Sequence, residues 1–149
     1  MSPQEMWSAY LHASGKSDLP MPDPEHFCDN ERDADLCADL VLRGIKRATC
    51  SALYIYGHFG ESLSKPGDVW LVTNWAGEAQ CVLETTKVDI VRFHEVSEEF
   101  AAAEGEGDLS LAYWREAHIR FFTRQFQNLP FAFTEDIPLV CQYFSVVYR

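Results

Sequence analysis

The chain has 149 residues, 47% of them hydrophobic and 13% aromatic, which is enough for one core and too few for two comfortable domains. That content excludes disorder, because burying so many Trp, Tyr and Phe side chains offsets the entropy of ordering the chain. With 12 Lys and Arg against 23 Asp and Glu, the net charge is −11, which excludes tight nonspecific binding to long nucleic acid, where clustered bases and counterion release supply the affinity.

The chain opens with a predicted helix from Ser2 to Ala13, interrupted by the Pro-rich piece Leu19 to Pro24, a fixed connector rather than a helix continuation. The N-terminus has no basic region followed by an apolar stretch, and no apolar run approaches the roughly 18 residues of a membrane span, so a cytosolic protein is expected. Residues 1–29 read as an N-terminal helical extension with its connector, and 30–149 as the main globular unit. In the next helix Asp33 is the predicted cap, Leu36, Cys37, Leu40 and Val41 form one apolar stripe, and Gly44 supplies a left-handed stop. Residues Thr49 to Tyr56 carry the β-branched and aromatic content of a strand. Lys65-Pro66-Gly67-Asp68 is a turn into a strand from Val69 to Thr73, and Asn74 to Glu78 is a hairpin loop leading to a strand from Ala79 to Thr86 that continues over Val88 to Phe93. Ser97 is predicted to cap a short helix through Ala103, broken by Glu104-Gly105-Glu106-Gly107-Asp108. Leu111, Trp114, His118, Phe121 and Phe122 recur at helical spacing, so 110–127 is an amphipathic helix starting at Asp108 or Ser110. Leu139 to Tyr148 is apolar on both faces and reads as a central strand closing the sheet. The fold class is α+β, a strand meander curling into a small barrel with helices around it.

The chemistry-bearing residues are few. Residues 1–35 hold eight acids and only Lys16 and Arg32 as bases, after which Arg43, Lys46 and Arg47 fall together. Lys46 and Thr49 are three apart, a spacing that faces opposite sides of a strand unless the backbone turns between them. A Lys in a pocket serves as general base and a Thr hydroxyl as nucleophile, although a solvated Lys beside a strand Thr is the commoner arrangement. Glu104, Glu106 and Asp108 stand among two glycines at a helix mouth, where they can position a carboxylate or simply form a capped acidic loop. The histidines are dispersed, with no paired-ligand pattern, so no metal and no cofactor are expected, and His118 on the apolar stripe reads as a satisfied packing residue. Cys28, Cys37, Cys50, Cys81 and Cys141 include no CxxC pair and read as reduced, mostly buried thiols. Tyr54, Tyr56, Trp75 and Tyr113 are the aromatics placed to stack on a base.

Three pieces in order, Leu42-Arg43-Gly44-Ile45-Lys46-Arg47-Ala48-Thr49, Lys65-Pro66-Gly67-Asp68, and Glu104-Gly105-Glu106-Gly107-Asp108 running into Leu109-Ser110-Leu111-Ala112-Tyr113-Trp114, resemble the ASCH domain family over roughly residues 30–149. The resemblance is closest to bacterial stand-alone members with an N-terminal helical extension. It implies a PUA-like fold, a small β-barrel with helices around a cleft, in a group linked to RNA and modified nucleosides. Some small members are amidohydrolases that deacylate acetylated cytidine with a Lys, a Thr and a Glu. Carried over by position, Lys46 matches the general base, Thr49 the nucleophile, and Glu106 the acid, with Glu104 a rival for that place. Arg43, Arg47, Glu104, Tyr56 and Tyr113 are then the expected substrate-binding residues. The chain departs from that branch in its length and in Ile45, where a basic residue is frequent. Other members are ribonucleases or RNA-binding modules, so membership alone does not fix a reaction. The expected partner is a nucleoside or single-stranded RNA, with no membrane.

Overall fold

A computed structural model describes all residues, 1–149. Its elements are helix α1 (Pro3–Ser14), helix α2 (Glu31–Leu42), strand β1 (Ala48–Ala52), helix α3 (Leu53–Phe59), strands β2 (Val69–Thr73) and β3 (Ala79–Arg92), helices α4 (Glu98–Glu104) and α5 (Leu111–Phe126), and strand β4 (Pro138–Tyr148). The strands form one antiparallel sheet in the order β1-β4-β3-β2. β4 is central, as its two-sided apolar pattern predicts. Register shifts between Val82 and Leu83 and between Thr85 and Lys87 bend the long β3, and bulges of this kind curl the sheet into a half-barrel. The α+β, PUA-like class expected from the sequence is the fold observed.

Two helices cover opposite faces of the β2–β3 end. Met6, Trp7 and Tyr10 of α1 pack on Leu71 and Val82, while Cys37 and Val41 of α2 pack with Val72, Cys81, Leu83 and Phe144. Because residues alternate along a strand, Leu71 and Val72 serve different helices. The largest cluster joins Ala48, Ala52, Leu139 and Cys141 to Phe100, Trp114, Phe122 and Phe126 of α4 and α5. The connector lies along the sheet edge through a parallel bridge between Glu25 and Val72.

Two local expectations need correction. The cap of α2 is Asn30, whose side chain accepts from the Asp33 amide, so Asp33 is inside the helix rather than its cap. The strand expected over Thr49 to Tyr56 ends at Ala52, and Leu53 begins α3. β1 pairs with β4 only as far as Ala52 with Leu139, and β4 itself starts at Pro138, which has no amide hydrogen to extend a ladder. Without a partner strand the chain turns into a helix, closed by Gly60 at φ 67° and tied back by a 2.7 Å hydrogen bond between the Tyr56 and Ser51 hydroxyls. The other caps follow the sequence: Gly44 has φ 74°, Ser97 accepts from Phe100 N, and Ser110, rather than Asp108, accepts from Tyr113 N.

Candidate functional site

The segment Ile45 to Arg47 is pinned from three sides. The amides of Ile45 and Lys46 both donate to Leu40 O, at 2.9 and 3.1 Å, Arg47 N donates to Ala103 O at 2.7 Å, and Arg47 O accepts from Phe144 N at 3.1 Å. It is not yet strand, since β1 starts at Ala48. The irregular backbone before β1 therefore supplies the turn that the Lys46 and Thr49 spacing requires. On the opposite wall α4 ends in Gly105 at φ 77°, where an added Cβ would lie 2.7 Å from Ile45 O and 2.8 Å from Lys46 Cα. Only a residue without a side chain lets the end of α4 approach the Lys46 backbone this closely.

That approach brings Glu104 onto Lys46. Lys46 Nζ donates to Glu104 O at 3.2 Å and stands 3.8 Å from Glu104 Oε1, with both side chains 2% exposed. Glu104 Oε2 accepts from the Trp114 indole Nε1 and lies 2.9 Å from His118 Nε2. Cys50 Sγ is 3.9 Å from the same oxygen. His118 stacks on Trp114 with centroids 4.3 Å apart, and its Nδ1 is 2.8 Å from Trp114 O. The Lys46 ammonium also faces the Phe27 ring, 5.4 Å from its centroid. A charge buried this deeply is tolerable only because it is paired and hydrogen-bonded.

The electrostatics follow from those contacts. Burial pushes the Lys46 ammonium toward deprotonation, but the Glu104 and Glu106 carboxylates outweigh it and hold its pKa above the ordinary lysine value. Burial likewise opposes the Glu104 carboxylate, yet His118 and Lys46 keep its pKa below normal. His118 is pushed down by burial and lifted further by Glu104, so its pKa is raised. The raised pKa favours the ammonium form of Lys46.

A cavity of about 70 Å³ is lined by Lys46, Thr49, Glu104 and Glu106, together with Phe27, Cys28, Cys37, Cys50, His118 and Phe121. It adjoins a second cavity of about 170 Å³ that shares Cys28, Cys37, Glu106, His118 and Phe121 and adds Tyr113 and Arg120. The Tyr113 ring lies so close over Gly107 that a Cβ there would sit 2.4 Å from it. Of the residues singled out from the sequence, Lys46, Thr49, Glu104, Glu106 and Tyr113 converge here. Arg43 and Arg47 do not; they line a groove of about 520 Å³ beside the end of β4. Tyr56 lines a cleft of about 900 Å³ between the connector, α3 and β2.

His118, Trp114 and Cys50 enter the site although sequence reasoning passed them over as packing residues. His118 is indeed satisfied, but by a carboxylate of the site. The available signal was the spacing of Trp114 and His118, four apart on one face of α5, with Glu104 at the glycine-stopped end of α4 as the nearby acid. Of the five cysteines, Cys37, Cys81 and Cys141 are buried, Cys28 and Cys50 are half-buried, and all are free thiols. No helix is long and apolar enough to cross a membrane.

Comparison with known proteins bears on the fold and the family. No curated protein matches the chain. The crystal structure of an ASCH domain from Lactobacillus crispatus superimposes with a TM-score of 0.93 at 43% identity, covering 99% of this chain and 94% of that one. A protein from Enterococcus faecalis, assigned to a domain family of unknown function, gives 0.90 at 36% identity, covering 97% and 87%. Both likenesses cover nearly the whole chain, so they extend over α1 and the connector. The family model described as the ASCH domain matches residues 23–148, and the chain belongs to the ASCH domain family.

Proposed function

We propose that the protein hydrolyses the amide of an acylated cytidine-like nucleoside in the cavity between α4 and the start of β1. The observation that carries this reading is that Lys46, Thr49, Glu104 and Glu106 line one cavity of about 70 Å³, beside one of about 170 Å³ that Tyr113 helps to wall. Both are smaller than the roughly 300–1,000 Å³ of sites for drug-sized ligands, which favours a single modified base over a larger substrate. The protein's acidity favours an uncharged nucleoside over a polyanion.

The raised pKa of Lys46 supports a different division of roles from the one implied by the family resemblance. Thr49 Oγ1 attacks the amide carbonyl carbon, and its proton passes to the Glu106 carboxylate. The Lys46 ammonium, fixed by Glu104, stabilises the oxyanion that forms. Collapse breaks the carbon–nitrogen bond, and the protonated Glu106 returns its proton to the departing exocyclic amine. Water then attacks the acyl-threonine and gives a proton to Glu106, which passes it to Thr49 Oγ1 as the carbon–oxygen bond to threonine breaks and the carboxylic acid leaves. Glu104 touches no reacting atom and positions Lys46.

Incubation with acetylated cytidine tests the reading. The expected products are cytidine and acetate, with Thr49→Ala and Glu106→Gln each lowering kcat by roughly 10²- to 10⁴-fold, the range for loss of a positioned proton-transfer group. Absence of turnover by the wild type, or undiminished turnover by both variants, overturns it.

A second reading has its own observation. The groove of about 520 Å³ carries the exposed bases Arg43, Arg47 and Arg149 with no acid among its lining side chains, and the Arg47 side chain has no partner within the chain. An RNA strand held there would bind more weakly as salt rises and would lose affinity on charge reversal of Arg43 and Arg47. Salt-independent binding rules this reading out.

A further inference from the structure

Two trios of metal-ligating side chains lie side by side around Lys46: Cys50, Glu104 and His118, and Cys28, Cys37 and Glu106, the ligand atoms of each trio falling within 4.8 Å of one another. The first is fully engaged. Glu104 already serves Lys46, Trp114 and His118, so a cation there would have to displace an indole hydrogen bond and a buried ammonium. The second is not. Glu106 has one side-chain partner, the Cys37 thiol, which donates to its Oε1 at 3.0 Å, and Cys37 Sγ stands 3.6 Å from Cys28 Sγ.

We propose that Cys28, Cys37 and Glu106 bind zinc or a similarly thiophilic divalent cation, with a fourth position open to the adjoining cavities. Two thiolates and one carboxylate make a donor set that suits zinc, and three protein ligands with one open position is the pattern of zinc sites that hold water or substrate. Tetrahedral zinc with its usual bond lengths separates two thiolate sulfurs by about 3.8 Å and a sulfur from a carboxylate oxygen by about 3.6 Å. The first spacing is nearly present, and the second opens by roughly half an ångström as the Cys37 proton, which now bridges the pair, departs.

The three ligands come from separately anchored segments. Cys37 is 1% exposed on the inner face of α2. Cys28 precedes that helix with φ 62°, a left-handed conformation that few non-glycine residues adopt and that the surroundings must hold in place. Its neighbours supply the hold: Asp29 binds Arg124 and Asn30 caps α2. Glu106 sits between Gly105 and Gly107, both at positive φ. All three residues line both cavities, so the void for a fourth ligand and a way in are both present.

Charge also balances. Binding releases two thiol protons to solvent, after which two thiolates, a carboxylate and the divalent ion carry a net charge of −1, opposite the Lys46 ammonium. The Cys37 thiol is held above the ordinary range by its hydrogen bond with Cys28 and by burial, with Lys46 acting the other way, so the metal itself must drive off the protons. Occupation would also engage the Glu106 carboxylate invoked for hydrolysis. Metal binding is nevertheless independent of that reading, since it is measured without substrate and either can fail alone.

The test is zinc titration of the reduced, metal-free protein against a chromophoric chelator, with cobalt(II) loading to detect thiolate coordination by its charge-transfer absorption. One equivalent should bind with a thiolate–cobalt band. Cys28→Ser and Glu106→Gln, both at partly exposed positions that leave the core intact, should each weaken binding roughly tenfold or more, while Cys50→Ser should leave it unchanged. No stoichiometric binding, a cobalt spectrum without thiolate bands, or loss of binding in Cys50→Ser with retention in Cys28→Ser overturns the assignment.

Discussion

The small cavity beside Lys46 and the large cleft beside Tyr56 are built on opposite principles. In the first, charges of both signs are buried and matched, with Lys46 and Glu104 each 2% exposed. The second holds about 900 Å³ and is lined by Asp23, Glu25, Glu61 and Asp68, with Lys16 the one base among its lining residues. There Glu25 is held above the ordinary carboxylate range by partial burial, then by Glu61 and Asp23, so its charges repel rather than pair. Volume favours the large cleft, but preorganised charge favours the small one, and reaction chemistry depends on the latter.

The largest expected effect comes from removing one partner of the buried pair. Glu104→Gln leaves the Lys46 ammonium without its counter-charge, and a loss of about 3–5 kcal/mol of unfolding free energy is expected in denaturant titration. A change below about 1 kcal/mol would mean that Lys46 finds another partner or water.

Gly105→Ala comes next. Its cost combines a left-handed φ, about 1–3 kcal/mol for a residue with a side chain, with a Cβ driven to within 2.7 Å of Ile45 O. Both stability and turnover should fall, because the end of α4 must retreat from Lys46. The equivalent change at Gly77, which has open space around it, should carry only the conformational cost.

His118 gives the pair a pH signature. Its folded pKa is raised, by Glu104 and with further support from Glu106 and the Trp114 carbonyl, against the opposing effect of burial. The folded protein therefore holds this proton more tightly than the unfolded chain. The resulting stability is complete below the unfolded value of about 6.5 and is lost as pH rises through the folded value. Glu104, whose folded pKa is lowered by His118 and Lys46 despite burial, contributes stability present above its unfolded value and lost as pH falls through the folded one. Thermal melts across pH should show both limbs in the wild type, and His118→Gln should remove the alkaline one. An unchanged alkaline limb would assign it to another group.

The smallest effect belongs to the large cleft. Glu61→Gln relieves repulsion on Glu25 and should shift stability by no more than about 0.5 kcal/mol, as at ordinary surface sites, with turnover unaffected. A large fall in turnover would move the reacting centre into that cleft.

Much of the small site was legible in the chain. Gly44 marked the end of α2, Ser97 and Ser110 marked the helix starts, and the Glu-Gly-Glu-Gly run marked a close approach, all local signals with local causes. The two-sided apolar pattern of Val140, Cys141 and Phe144 placed β4 in the middle of the sheet. What escaped was decided by distant partners. Leu53 to Tyr56 has strand composition, yet β4 begins too late to pair with it, and α3 packs instead with Tyr54 against Phe131, 5.2 Å between ring centroids. Arg43, Arg47 and Lys46 are neighbours in sequence, but the two arginines remain exposed while Lys46 is buried. His118 looked like a packing residue because its carboxylate partner lies on another helix.

The most direct test of the account is the protonation state of Lys46, followed by the nitrogen-15 resonance of its side chain through a pH titration of the wild type. The account predicts an ammonium throughout the neutral range that titrates above the ordinary lysine value of about 10.4, and a lower pKa in Glu104→Gln. Deprotonation of Lys46 near neutral pH in the wild type would contradict it and restore the amine as the base.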